Sequence, residues 1–224
     1  RKIGAESIVL LRNEGGILPI KNVRKILVVG ENAVKMMTVG GGSSSLKVKN
    51  EVSPLEGIRE RFADAKVVYE RGYVGDASGQ FDGVTTGQDL SESRSAEKLI
   101  SDAVAAAKDA DYVIFIGGLN KSDHQDSEGN DRESYDLPYS QNAVIEALAA
   151  ANPKLVVVNI SGNAVAMPWA DKVPGIVQDW YLGSEAGHSL ADVLSGDVNP
   201  SGKLPFTIGA TLADYPVQSE IQYP

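Results

Sequence analysis

Short unbroken runs of Val, Ile and Leu alternate along the chain with segments whose apolar positions recur every three or four residues. The runs lie at residues 25–30, 65–69, 111–117 and 154–159, with a more polar fifth at 175–179. Continuous apolar runs, unlike alternating ones, suit strands covered on both faces. Ala96, Leu99, Ile100, Ala103, Val104 and Ala107 form one stripe of a helix, with Ser95 in the N-cap region. A second helix is predicted over 141–151, with Val144, Ile145 and Leu148 on one side and Asn152-Pro153 as its stop. A third spans 184–195, and Gly196 can take the left-handed conformation after its end. Ser53-Pro54 opens a fourth through Leu55, Ile58 and Phe62, with proline in the first turn. The first residues, 3–12, read as an amphipathic helix entered without a cap.

Strand–helix alternation at these lengths predicts βαβ units, hence an α/β fold with a mostly parallel sheet and helices on both faces. No internal repeat of 20 to 50 residues is visible. Two segments fall outside the alternation. Residues 72–88 are glycine-rich and read as a surface excursion. Residues 119–138 form a long polar stretch directly after the third strand, and loops of that length inside a compact domain tend to be functional. The chain begins at Arg1, with no leader-like apolar segment after it, inside an uncapped helix. The expectation is one domain, residues 1–224, cut from a larger protein.

Composition narrows the chemistry. With 42% hydrophobic and 23% charged residues in 224, the chain has enough apolar material to offset its folding entropy. No apolar run is long enough for a membrane-spanning helix. A net charge of -9 argues against a nucleic-acid partner. With no Cys there are no disulfides, thiolate metal sites or cysteine nucleophiles. Two histidines, His124 and His188, make a histidine-rich metal site improbable, and no metal or other cofactor is expected. The first strand is followed by Gly30-Glu-Asn-Ala, which keeps only the first glycine of a dinucleotide fingerprint. Gly202-Lys203 is followed by Leu204, so no phosphate loop is present, and there is no G-x-S-x-G elbow. A calcium-loop register with Gly129 at its sixth position would put His124 first and Tyr135 last, so that reading fails.

Two loops are left to carry chemistry. Gly40-Gly-Gly-Ser43 and the serines after it either admit a ligand close to the backbone, with Ser43 and Ser44 hydroxyls at hand, or form a flexible turn. The second loop lies beyond the carboxyl end of a buried strand, where open α/β sheets present ligand sites. Between 119 and 138 it holds six acids (Asp123, Asp126, Glu128, Asp131, Glu133 and Asp136) against Lys121 and Arg132. Crowded carboxylates disfavour ionising together, and a retained proton is what a general acid needs. Arg132 is placed to pair with Asp131 or a neighbouring acid. A plain solvated acidic loop fits the same composition. Trp169 and Trp180 are either sugar platforms or core residues, and His188, inside a helix, reads as a satisfied, partly buried histidine.

The chain resembles the second domain of family 3 glycoside hydrolases, the β-glucosidases and β-xylosidases. The resemblance rests on Glu6-Ser-Ile-Val-Leu-Leu-Arg-Asn-Glu14, Leu18-Pro19, Val28-Val29-Gly30, Gly40-Gly-Gly-Ser43 and Glu128-Gly-Asn-Asp-Arg132. It continues through Leu137-Pro138, Trp180-Tyr-Leu-Gly-Ser-Glu-Ala-Gly187, Ala191-Asp-Val-Leu194 and Asn199-Pro-Ser-Gly-Lys-Leu-Pro-Phe206. Each piece is weak alone; their order along nearly the whole chain is specific. The resemblance implies a three-layer αβα sandwich, flavodoxin-like, with the general acid/base on a loop reaching into the site. Many members carry that glutamate in an E-G-x-D-R setting, which puts the role on Glu128, with Glu133, Asp126 and Asp131 as neighbouring alternatives. It also makes Ser43 and His124 substrate-contact candidates. The partner implied is an N-terminal barrel domain bearing a nucleophilic aspartate, and the substrate a β-linked glycoside or oligosaccharide. Retaining hydrolysis needs two carboxyls about 5–5.5 Å apart, so the chain alone is expected to be inactive. A face uncovered by the missing domain is expected to promote self-association. The resemblance suggests a periplasmic or extracellular location. A non-catalytic carbohydrate-binding or scaffold module, or a small-ligand protein using residues 40–45, are the alternatives.

Overall fold

The structure is a computed structural model that describes residues 1–38, 48–75, 80–81, 84–85, 88–122, 124–128 and 131–216. In chain order the helices are α1 (Lys2–Ser7), α2 (Pro54–Arg61), α3 (Ala96–Ala107), α4 (Gln141–Ala151) and α5 (Ala186–Ser195). The strands are β1 (Val9–Asn13), β2 (Lys25–Val29), β3 (Lys66–Glu70), β4 (Gln80–Phe81), β5 (Val84–Thr85), β6 (Tyr112–Gly118), β7 (Leu155–Ile160) and β8 (Gly175–Asp179). The main sheet has the order β1-β8-β7-β6-β2-β3, and β4 pairs with β5 as a separate two-stranded ribbon. Every pair in the main sheet is parallel except β1 against β8. Leaving β1 aside, the parallel strands follow the flavodoxin order, with the chain's direction of travel switching between β2 and β6.

Alternation along each strand sorts the core into two layers. Ile26 and Val28, with Ile114, Ile116, Val156 and Val158, face Leu55 and Ile58 of α2 and Leu190 and Leu194 of α5. Leu27 and Val29, with Val113, Phe115 and Val157, face Ala103 and Ala107 of α3 and Val144, Ile145 and Leu148 of α4. This is the three-layer αβα sandwich the sequence implied. Both faces of the sheet are covered, so the strands read as continuous rather than alternating apolar runs. Helix α2 starts at a capping box: the Ser53 side chain accepts from the Glu56 N–H while the Glu56 carboxylate accepts from the Ser53 N–H. It meets α5 closely enough that a Cβ on Gly57 would lie 2.1 Å from the Gly187 carbonyl oxygen.

The amino terminus differs from expectation. The helix predicted over 3–12 ends at Ser7, Ile8 is extended (φ -61°, ψ 136°), and residues 9–13 form β1 on the edge beside β8. Ile8 and Val9 are β-branched and favour a strand, and the pairing partner lies far along the chain, outside any local periodicity. The glycine-rich excursion at 72–88 contains the β4–β5 ribbon. After α5 the described chain is irregular apart from a 3-10 turn at Leu212–Asp214. Trp169 is fully buried and its indole N–H donates to Asn142 Oδ1 at 2.9 Å, so it is a core residue. Trp180 donates to the Ser7 carbonyl at 2.9 Å and meets the Phe206 ring edge-on. His188 bridges Glu185 (2.6 Å) and Glu60 (2.8 Å), a satisfied histidine joining α5 to α2. Among the described residues no helix is long and apolar enough to cross a membrane.

Candidate active site

The carboxyl ends of β6, β7 and β8 build the site. Strand β6 ends at Gly118, whose φ of 118° suits glycine, and a Cβ there would lie 2.1 Å from the Ile160 carbonyl oxygen. One buried side chain then clamps both ends of the 119–138 loop. Gln141, at the start of α4, accepts from Gly118 N–H at 2.7 Å through Oε1. Its Nε2 donates to the Gly118 carbonyl at 2.8 Å and to the Pro138 carbonyl at 3.0 Å. From across the switch point, Asn32 Nδ2 donates to the Leu119 carbonyl at 2.9 Å. The loop therefore leaves a rigid base.

Its two limbs are tied separately. On the outgoing limb Asp126 is fully engaged. Its Oδ2 accepts from Gly162 N–H (2.6 Å) and from the Tyr181 hydroxyl (2.7 Å), and its Oδ1 accepts from Asn163 Nδ2. These partners follow β7 and β8, so Asp126 works as an anchor across three strand ends. On the returning limb Arg132 donates to the Asn163 amide oxygen, to the Ala164 carbonyl at 2.8 Å and to the Ser134 carbonyl. Among the described residues its partners are these carbonyl and amide oxygens rather than Asp131 or another acid, the pairing the sequence suggested. The fork satisfies carbonyls where the chain turns back. Half-buried Lys121 sets its ammonium 3.9 Å from the centre of the Tyr181 ring, a cation–π contact. Partial burial draws it below the ordinary lysine range against the pull of Asp126. Burial first, and Asp126 second, push the Tyr181 phenol far up. Lys121, Asp126, Asp131, Arg132, Asn163 and Tyr181 line an open cleft of about 470 Å³.

Between the two limbs stands Glu128, exposed. His124, at φ 57°, donates from Nδ1 to the Asp131 carbonyl at 3.0 Å and so joins the two limbs. It lines a second hollow of about 290 Å³ with Gln125, Arg132, Glu133 and Tyr139. Of the alternatives to Glu128, Asp126 is consumed by its three donors, while Asp131 and Glu133 are exposed on the returning limb. Ser43 and the rest of residues 40–45 lie outside the described residues, as does Asp123. Gln141, Asn163 and Tyr181 were not singled out from sequence. The available signal was polar residues placed immediately after unbroken apolar strands, as in Ser161-Gly-Asn163 and Asp179-Trp-Tyr181. At the end of β8 Asp179 is buried with one main-chain donor, Trp180 N–H at 3.1 Å, and burial pushes its carboxyl up to about 8. Among the described residues no group of three or more His, Asp or Glu side chains comes together to hold a metal ion.

Residues 8–224 match the model of the glycosyl hydrolase family 3 C-terminal domain. The chain is 49% identical to the beta-glucosidase BoGH3A of Bacteroides ovatus, over 100% of this chain and 30% of that protein. It is 35% identical to a periplasmic beta-glucosidase of Salmonella typhimurium, over 97% of this chain and 29% of the relative. The crystal structure of a GH3 beta-glucosidase from Bifidobacterium adolescentis superposes with a TM-score of 0.80 at 35% identity, over 100% of this chain and 30% of that one. The chain thus spans under a third of the length of these relatives. Its sheet order, its loop anchored beyond β6 and its match across almost every residue agree: this chain belongs to the glycosyl hydrolase family 3 C-terminal domain family.

Proposed function

We propose that this chain is the acid/base-bearing domain of a retaining β-glycosidase that removes terminal β-D-glycosyl units, and that Glu128 is the acid/base. The observation that carries the reading is the construction of the loop: Glu128 stands exposed between limbs held by Asp126 and Arg132, in the setting Glu128-Gly-Asn-Asp-Arg132. A proton donor that must reach a bond held largely by another domain has to project, and it has to project from fixed supports. The beta-glucosidase names of the relatives, and the small share of each that this chain spans, support a preceding domain that supplies the nucleophile.

In the first step Glu128 gives its proton to the glycosidic oxygen as the nucleophile of the other domain bonds to the anomeric carbon. The leaving alcohol departs and Glu128 is left as carboxylate. In the second step that carboxylate takes a proton from water as the water oxygen displaces the enzyme carboxylate from the sugar. The two carboxyls act as a unit, so the isolated chain is inactive. His124 and Ser43 serve as substrate contacts. A periplasmic or extracellular location is supported by the naming of the Salmonella relative.

The test joins this chain to its preceding domain and follows hydrolysis of aryl β-glycosides. Glu128→Gln is expected to lower turnover on substrates with poor leaving groups by about 10²–10⁴-fold. Azide, a nucleophile that needs no general base, is expected to restore turnover on substrates with good leaving groups. Wild-type rates for Glu128→Gln on poor leaving groups remove Glu128 from the role. Turnover by the purified chain alone removes the two-domain reading.

A further inference from the structure

Beyond α5 the chain runs back along the domain and closes on itself around one hydroxyl. The Tyr215 hydroxyl donates to the Thr207 carbonyl at 2.9 Å and accepts from Gly209 N–H at 3.0 Å. Thr211 and Asp214 cap the turn between them. This closed segment, residues 207–215, lies against the returning limb of the Glu128 loop. The Tyr135 hydroxyl donates to the Gly209 carbonyl at 2.7 Å and sits 3.0 Å from the Tyr215 hydroxyl, and the two rings meet edge to face with centroids 5.8 Å apart. Tyr135 is also held at its backbone, where Ala166 N–H donates to its carbonyl at 2.9 Å. Its ring lies 6.0 Å from the Arg132 guanidinium, the other fixture of that limb.

We propose that residues 207–215 are a positioning strap for the acid/base loop, acting through the Tyr135–Tyr215 hydroxyl pair. The proposal rests on the reading of Glu128 given above. Asp126 fixes the outgoing limb to the ends of β7 and β8. Arg132 fixes the returning limb close to the same place. Without the strap the returning limb is held on the side of β7, by Arg132 and the Ala166 bond to the Tyr135 carbonyl, and by the His124 bond to the Asp131 carbonyl. The tyrosine pair adds a further point of attachment, to the segment after α5. Its wiring is asymmetric. The Tyr135 proton goes to the Gly209 carbonyl and the Tyr215 proton to the Thr207 carbonyl, so loop and strap are tied by the Tyr135–Gly209 bond, with the two hydroxyls and ring edges in contact beside it. Removing the Tyr215 oxygen strands Gly209 N–H and the Thr207 carbonyl and opens the strap itself. Removing the Tyr135 oxygen leaves the strap closed and cuts its tie to the loop. Burial and the neighbouring hydroxyl push the Tyr135 phenol up, so it remains a donor. Tyr135 and Tyr215 are positioning residues; neither is placed against the reacting bond.

The experiment uses the full-length enzyme and a series of aryl β-glycosides of graded leaving-group acidity, with kcat/KM as the readout. Tyr135→Phe and Tyr215→Phe keep the rings and remove the oxygens. A displaced acid costs most where the leaving group needs its proton. Both variants are therefore expected to lose about tenfold on phenyl-type substrates and less than about twofold on dinitrophenyl substrates, with Tyr215→Phe the more affected. Glu128→Gln, run beside them, sets the steepest dependence. An equal loss on all substrates, or no loss, in both tyrosine variants beside a steep Glu128→Gln profile overturns the strap and leaves Glu128 in its role. A flat profile for Glu128→Gln overturns the strap together with the reading beneath it. Tyr135→Phe leaves the strap's internal bonds intact, so it decides the matter if Tyr215→Phe does not fold.

Discussion

Two glutamates beyond the carboxyl ends of parallel strands show what burial makes of the same side chain. Glu31 follows β2, is 1% exposed, and faces two cations. Its Oε2 accepts from Arg71 at 2.7 Å and from Gly75 N–H at 2.7 Å, and its Oε1 lies 3.3 Å from the ammonium of Lys35, itself buried. Glu128 follows β6 on the other side of the switch point and stands in the open. Each sits beyond a strand of the same sheet, but Glu31 joins the turn after β2 to the chain after β3, while Glu128 is carried outward by limbs that other residues hold down. A carboxylate surrounded by donors is an anchor. Glu128, exposed on its loop, is the one we propose as a reagent, and the fold carries both beyond the same strand ends.

The largest effect on stability is expected at the buried partner. Glu31→Ala removes the carboxylate that Lys35 and Arg71 share, and breaking a buried ion pair from one side costs about 3–5 kcal/mol. Urea unfolding of the domain would show a midpoint well below wild type with an unchanged slope. A loss under about 1 kcal/mol would mean that Glu31 is not the anchor its geometry describes.

Asp179 sharpens the comparison, because it is buried as Glu31 is but, among the described residues, with one amide donor in place of cations. Its carboxyl is pushed up to about 8 by burial. The folded state therefore holds a proton that the unfolded chain releases near pH 4. Stability from this group is full below about pH 4, falls as pH rises, and levels off above about 8, where both states are ionised. The expected difference between wild type and Asp179→Asn is a gain for the variant on the order of 3 kcal/mol at pH 7, shrinking toward pH 4. Parallel stability–pH curves for the two proteins would show instead that Asp179 is charged and solvated in the fold.

How far sequence could reach depends on the range of each interaction. Among the parallel strands, β6 and β7 were legible because the runs 112–116 and 155–158 are buried on both faces and burial leaves a mark on composition, while half-buried β3 was legible from its Val-Val-Tyr run alone. Strand β1 was not, because Val9 pairs with Gln178 and no local pattern records that. The same division holds at the site. The resemblance put Glu128 forward because Glu128-Gly-Asn-Asp-Arg132 is contiguous, and its role remains the proposal made above. Asp126 stayed one acid among six until its partners 36, 37 and 55 positions away were in place. Arg132 looked like half of an ion pair because nearby acids are visible in sequence and the carbonyl oxygens of a turning chain are not.

The smallest effect on stability belongs to Glu128 and closes the comparison from the other side. An exposed residue on a loop tip contributes little to folding, so Glu128→Gln should shift stability by no more than about 0.5 kcal/mol. The same substitution is the one expected to damage catalysis most. Measured on a single preparation, the two numbers should move apart: unfolding midpoint unchanged, turnover on poor leaving groups nearly gone. For Glu31→Ala the order reverses, with the midpoint displaced and any loss of activity following the fraction unfolded. If Glu128→Gln instead lowered stability by more than about 1.5 kcal/mol, Glu128 would be bearing structure as Asp126 does, and a residue bound that tightly could not also swing its proton toward a substrate.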